Sequence, residues 1–158
     1  QKVLLNQMPT AIKDSKIDIS SEETTKELAK ELTHYLKGGE IIYLYGEMGV
    51  GKTTFVRHLI NQFQKNKKLH ITEVTSPTFN LLNEYDINDL VIKHYDLFRV
   101  KDESEIKNLD LFENNQNTIT LIEWPQLISK NKSIKTIDLI FSYENELNNR
   151  SVKIDGLN

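Results

Sequence analysis

Gly46-Glu47-Met48-Gly49-Val50-Gly51-Lys52-Thr53 satisfies every fixed position of the G-x-x-x-x-G-K-[ST] phosphate-binding loop. Glycines adopt backbone conformations and permit close approaches that a Cβ obstructs, so successive N–H groups can converge on phosphate oxygens. In such a loop Lys52 reaches the β- and γ-phosphates of a nucleoside triphosphate, and Thr53 offers its hydroxyl to Mg²⁺. Directly before it, Ile41-Ile42-Tyr43-Leu44-Tyr45 is a short apolar, β-prone run that reads as a buried strand. Directly after it, Phe55, Val56, Leu59, Ile60 and Phe63 recur at helical spacing. The phosphates would then sit at a helix N-terminus, where free N–H groups and the helix dipole favour anions.

The rest of the chain sets the bounds. Its 158 residues are enough for one domain that buries roughly 68 to 70% of its unfolded surface. The absence of cysteine excludes disulfides, thiolate metal sites and cysteine nucleophiles, and fits a reducing compartment. No apolar run approaches the roughly 18 residues that span a membrane, and the N-terminus lacks the order of a signal peptide, so a cytoplasmic location without membrane contact is expected. With 20 Lys and Arg against 23 Asp and Glu, the net charge is −3. No global positive field would hold a polyanion, so any contact with RNA is expected to be indirect or weak. The basic run Lys65-Asn66-Lys67-Lys68 reads as a solvated loop just past the helix.

The organisation expected is an N-terminal extension over residues 1–19, poorly ordered, followed by a single domain over 20–158. A helix should begin with Ser20 and Glu23 as a capping box, carry Leu28, Leu32 and Leu36 on one face, and stop before Gly38-Gly39. Further strands are expected near residues 71–74, 79–85, 90–98, 118–124, 136–143 and 151–155. Helical pieces should fall near 103–109 and after Pro125. Asp86-Ile87-Asn88-Asp89 and residues 144–149 read as hairpin turns. The fold class is α/β, with a mixed, mainly parallel sheet carrying an antiparallel portion.

Hydrolysis of a bound triphosphate also needs an acid near the metal, typically at a strand end on the same edge of the sheet. Ile119-Thr120-Leu121-Ile122-Glu123 supplies one. Trp124, the only tryptophan, is equally consistent with packing and with a place near the nucleotide. In His94-Tyr95-Asp96-Leu97-Phe98-Arg99 an extended strand would turn His94, Asp96 and Phe98 to one side. A carboxylate on so apolar a strand is costly unless paired or functional, so Asp96 either positions water, holds a metal-bound water or pairs with a base such as Arg99. Val74-Thr75-Ser76-Pro77-Thr78-Phe79 joins a proline turn to three hydroxyls, as a nucleotide-sensing loop would.

Taken together, Ser21-Glu22-Glu23-Thr24, the phosphate loop with Thr54, Thr75-Ser76-Pro77-Thr78-Phe79, His94-Tyr95-Asp96-Leu97-Phe98-Arg99 and Leu121-Ile122-Glu123-Trp124-Pro125 resemble the TsaE (YjeE) family over about residues 20–155. That family comprises bacterial P-loop ATPases needed for threonylcarbamoyladenosine formation beside the anticodon of tRNAs reading codons that begin with A. The resemblance implies a three-layer P-loop fold. It implies ATP held by residues 46–54, Lys52 and Thr53 on phosphate and Mg²⁺, Glu123 as second metal acid and Asp96 in hydrolysis. It also implies adenine between Glu22 and a segment at Asn149 and Arg150, and a TsaB and TsaD heterodimer as the partner that stimulates hydrolysis. The chain departs from the pattern at Phe98, where Tyr is usual, at Gln126, where Glu is common, and at Tyr45, where a smaller residue is usual.

Two other classes are weighed. Neither Asn66-Lys67 nor Asn131-Lys132 is followed by Asp at the spacing of a guanine-reading motif, which speaks against GTP. A small-molecule kinase would clamp the transferring phosphate with several arginines, and this chain has Arg57, Arg99 and Arg150. A binding module gated by ATP occupancy, with little hydrolysis, is the alternative from outside enzymes.

Overall fold

The computed structural model describes residues 16–113, 116–128, 135–146 and 148–157. Seven strands form one sheet in the order β1-β7-β6-β2-β5-β4-β3. They are β1 (Lys16–Asp18), β2 (Ile41–Tyr45), β3 (Leu82–Ile87), β4 (Leu90–Asp96), β5 (Thr118–Glu123), β6 (Thr136–Tyr143) and β7 (Arg150–Asp155). The helices are α1 (Glu22–Leu32), α2 (Lys52–Asn66) and the short α3 (Glu103–Lys107), with a 3-10 turn at Pro125–Leu127.

The centre of the sheet is parallel: β6, β2, β5 and β4 run together. Hairpins add the antiparallel β7 beside β6 and β3 beside β4, and β1 pairs antiparallel with β7. This is the expected mixed, mainly parallel α/β sheet. Parallel strands bring all their carboxyl ends to one edge, where ligands bind in open α/β sheets. The loop after β2 and the ends of β4 and β5 therefore meet there.

Alternation along each strand sorts side chains onto two cores. Ile42, Leu44, Ile119, Leu121, Leu139 and Val152 pack with Leu28, Leu32, Phe55, Val56, Leu59 and Ile60 of α1 and α2. On the opposite face Ile41, Tyr43, Tyr95 and Ile122 meet Leu97 and Leu111, with Ile106, Leu127 and Ile128 packed around them. A helix pair thus covers one face and a thinner layer of α3 and loops covers the other.

Several expectations are corrected. The sheet starts at Lys16, inside the stretch read as an extension, because Ile17 and Ile19 are buried beside β7; residues 1–15 lie outside the described residues. Ser21, not Ser20, caps α1 by accepting the Thr24 N–H at 3.2 Å, while Ser20 Oγ accepts the Arg150 N–H at 3.0 Å. A capping box does occur, at Asp102 and Glu105 of α3. No strand forms over 71–74, since side chains of α2 meet the backbone there: Asn61 Nδ2 donates to Thr72 O at 3.0 Å, and Thr72 N–H to Gln64 Oε1 at 3.2 Å. Strand β3 begins only at Leu82, because Leu81 is left-handed (φ 61°) and closes a turn onto Thr78 O. Strand β4 stops at Asp96, whose carboxylate takes the Phe98 N–H at 3.0 Å. Helix α2 runs through Asn66, so Lys65 belongs to its last turn rather than to the following loop. Both hairpins form, the first with Asn88-Asp89 between paired Ile87 and Leu90. At the second, β6 pairs with β7 and Glu144 N–H donates to Asn149 O at 2.8 Å, with Leu147 outside the described residues.

Candidate active site

The phosphate-loop segment spans the gap from β2 to α2 at the carboxyl edge of the sheet. Gly46, Gly49 and Gly51 all have positive φ (145°, 82° and 118°). At Gly46 the requirement is also steric, since a Cβ there would stand 2.9 Å from Phe141 and Val50 atoms. Gly51 caps α2 with no side-chain hydrogen bond, and no acidic residue occupies the first turn. The first bond closing α2 is Phe55 N–H to Gly51 O at 3.0 Å. The amides of Lys52, Thr53 and Thr54 precede it and have no intrahelical acceptor, which leaves a positive helix end for an anion. Val50 is buried and ties its N–H to Glu47 O at 3.2 Å, while Glu47 and Met48 are exposed at the loop tip.

A cavity of about 450 Å³ opens beside this loop, bounded by Lys52, Thr53, Ser76, Asp96, Glu123 and Trp124. Lys52 is only 4% exposed; its Nζ donates to Gly46 O at 2.6 Å and lies 3.6 Å from the centroid of a Trp124 ring. Burial lowers its pKa, against the pull of the Glu123 and Asp96 carboxylates. Trp124 is held left-handed (φ 58°) at the end of β5 and stacks at a tilt on Phe98, 4.9 Å between centroids. It therefore combines contact with the site and packing, the two roles left open by the sequence.

Glu123 ends β5 and is 2% exposed. Its register neighbours are Leu44 of β2 and Asp96 of β4. Thr53 Oγ1 lies 3.4 Å from each Glu123 carboxylate oxygen and 3.1 Å from Ser76 Oγ. Oxygens at that separation can share one Mg²⁺, whose bonds are about 2.0 to 2.1 Å, so the donors fit a hard cation. Among the described residues no group of three or more His, Asp and Glu side chains could hold a metal ion.

Asp96 stands on the same face, half-buried. Burial raises its pKa most, the Phe98 N–H bond lowers it, and nearby Glu123 raises it again. Arg99 lines the cavity but makes no ion pair with Asp96 among the described residues. The structural pairing offered by the sequence is thereby corrected: Asp96 is held by a backbone N–H instead.

Glu22 and Arg150 meet at a second recess of about 200 Å³, shared with Thr54 and Gly51. Arg150 is tied to Ser20 through its backbone and through a guanidinium bond to Ser20 O at 3.2 Å. Glu22 bonds Arg57 at 2.8 Å and His58 at 3.0 Å, and the His58 bond is the main cause that lowers its pKa. Asn149 lines a different recess, with Lys16 and Glu144, that Arg150 also borders.

One side chain in the site was given no task by the sequence: His94, whose Nε2 lies 2.7 Å from Glu123 Oε2 with neither group exposed by more than 3%. Ser76, one of the three hydroxyls of the loop read as nucleotide-sensing, touches Thr53. The signal for His94 was its place two residues before Asp96, on the same strand face.

The chain matches the family model "Threonylcarbamoyl adenosine biosynthesis protein TsaE" over residues 19–152. Proteins named tRNA threonylcarbamoyladenosine biosynthesis protein TsaE are similar to it. The one from Rickettsia conorii is 43% identical over 70% of this chain, the one from Bacillus subtilis 38% over 68%, and the one from Borreliella burgdorferi 32% over 89%. The matched region spans 61%, 65% and 98% of those proteins respectively, and thus less than two thirds of the first two. The crystal structure of YdiB from Bacillus subtilis superposes with a TM-score of 0.64 at 22% identity, covering 90% of this chain and 85% of that one, which shows a shared fold. No helix among the described residues is long and apolar enough to cross a membrane. The chain belongs to the TsaE family.

Proposed function

We propose that this chain is a Mg²⁺-dependent ATPase that drives turnover of a TsaB–TsaD assembly, which makes threonylcarbamoyladenosine beside the anticodon of tRNAs reading codons that begin with A. The observation that carries the reading is the convergence of Lys52, Thr53, Glu123 and Asp96 on one cavity at the positive end of α2. The names of the related proteins supply the pathway.

The loop amides and Lys52 bind the phosphates and stabilise charge that develops on the γ-phosphoryl group during in-line attack. For this, Lys52 Nζ leaves Gly46 O, a partner it holds at 2.6 Å. Thr53 and, directly or through water, Glu123 would hold a Mg²⁺ that arrives with the nucleotide, and that ion would supply neutralisation of phosphate charge. Asp96, facing the same cavity, orients the attacking water. Glu22 and Arg150 border a recess that shares Gly51 and Thr54 with the phosphate cavity, which suits them to the base and ribose, and Asn149 lies in a further recess that Arg150 also borders. The acidic balance of the chain supports tRNA contact through the partners rather than directly. The reading carries a cytoplasmic location with it.

The test is ATP hydrolysis with and without purified TsaB and TsaD. Low intrinsic turnover, stimulation by the partners and strong losses in Lys52→Ala, Asp96→Ala and Glu123→Ala are expected. Partners that neither bind nor stimulate would sink the assembly role. A phosphorylated small-molecule product would point to a kinase, and nucleotide-dependent partner binding without turnover to a gated module.

A further inference from the structure

His94 is fully buried against Glu123 and has no task in the reading above. We infer that His94 is a positioning residue: its Nε2–H donates to Glu123 Oε2 and sets the orientation in which that carboxylate faces Thr53. The inference rests on Glu123 being the acid on the metal side of the site.

The sheet fixes the pair. In the parallel β4–β5 ladder His94 lies opposite Leu121 and Asp96 opposite Glu123, so alternation turns His94, Asp96 and Glu123 to one face. Leu90, Ile92, Ile119 and Leu121 of the same strands are buried in the core on that face. An ionised carboxylate can only accept hydrogen bonds, so the 2.7 Å contact requires the proton on Nε2. The other ring nitrogen, Nδ1, is buried without a hydrogen-bond partner. A proton there would be an orphaned buried N–H, whereas the Nε2–H tautomer leaves only a lone pair unmet. The ring is therefore a single-purpose donor aimed at one oxygen. With Oε2 anchored, the carboxylate presents both oxygens at 3.4 Å to Thr53 Oγ1. Partners that hold metal-side groups in this way are typically worth about 10- to 100-fold in metal affinity.

The experiment measures Mn²⁺ binding, by electron paramagnetic resonance, to the protein loaded with an ATP analogue whose β,γ linkage cannot be hydrolysed. Binding of the analogue without metal is measured in parallel by calorimetry. His94→Leu removes the donor and keeps apolar bulk; His94→Gln keeps an amide N–H at similar reach. The expected result is Mn²⁺ binding weakened about 10- to 100-fold in His94→Leu, metal-free analogue binding changed less than about 2-fold, and most of the loss recovered in His94→Gln. Wild-type Mn²⁺ affinity in His94→Leu, or a Gln variant no better than the Leu variant, overturns the positioning role and leaves the reading of Glu123 intact. Unchanged Mn²⁺ binding in Glu123→Gln overturns that reading and this inference with it. Should His94→Leu not fold, ¹⁵N NMR of the wild-type ring decides: a proton on Nε2 alone supports the inference, and a proton on Nδ1 overturns it.

Discussion

The two recesses that meet at Gly51 and Thr54 are built in opposite ways. At the larger one Lys52, Glu123 and His94 are each exposed by 4% or less, Lys52 held by Gly46 O at 2.6 Å and Glu123 by His94 at 2.7 Å. In the smaller one Glu22 is 61% exposed and reaches Arg57, itself 41% exposed, across a surface ion pair. Buried, mutually constrained groups hold a geometry through a reaction, while exposed pairs of long side chains are screened and exchange partners freely. Under the proposed function, chemistry falls to the rigid end and adaptation to the ligand to the soft end.

The most severe way to break this contrast is Glu123→Gln. It keeps the shape of the side chain but removes the charge opposite Thr53 and His94, and turnover should fall about 10²- to 10³-fold, with Mg²⁺ titrations of steady-state hydrolysis as the measurement. A loss under about 5-fold would show that the rigid end does not depend on that charge.

Asp96→Asn comes next, because it separates function from stability. Burial raises the Asp96 pKa above its ordinary value of 3.8, so the folded protein keeps a proton that the unfolded chain has released. Stability contributed by this group therefore falls as pH rises from about the ordinary value through the raised one, and above that the full cost is present. Asn retains an oxygen for the Phe98 N–H without the charge. The nucleotide-free, metal-free variant should have a higher Tm than wild type at neutral pH, and the difference should vanish below the ordinary Asp range. Its turnover should fall about 10- to 100-fold, within the span usual for a group that handles a proton or a water. Equal melting temperatures at neutral pH would contradict the cost of burial.

The smallest effect belongs to Glu22→Gln. Surface ion pairs contribute about 0 to 1 kcal/mol, so nucleotide affinity should move less than about 5-fold and melting barely, with the difference shrinking in high salt. A large affinity loss would place Glu22 with the rigid groups instead.

Much of this division was legible in the chain, and the exceptions have physical causes. The apolar run 41–45, the glycine pattern and the period of Phe55, Leu59 and Phe63 report local geometry directly, and β2, the loop and α2 follow them. The alternation of His94, Asp96 and Phe98 correctly put the first two on one face. It could not reveal that Glu123 would stand beside them, because that depends on the pairing of β4 with β5, which brings His94 to Glu123 across 29 residues of sequence. Ser20 and Ser21 are equivalent caps by composition, and only the claim of Arg150 on Ser20 separates them. Residues 71–74 have the composition of a strand; their hydrogen-bonding groups are instead taken by Asn61 and Gln64, which no local pattern announces.

Those same bonds have a mechanical consequence. The segment that carries Ser76 is pinned to α2 at Thr72, and again to β3 where Asn83 Nδ2 holds Thr75 O at 3.0 Å. It is secured once more at Leu81, whose carbonyl takes the Asp96 N–H at 3.1 Å. What remains is a short leash between fixed posts, with the 92% exposed ring of Phe79 near its middle and Ser76 at its root. A pull on Phe79 from outside would swing the middle of the leash widely yet move the Ser76 hydroxyl, 3.1 Å from Thr53 Oγ1, little.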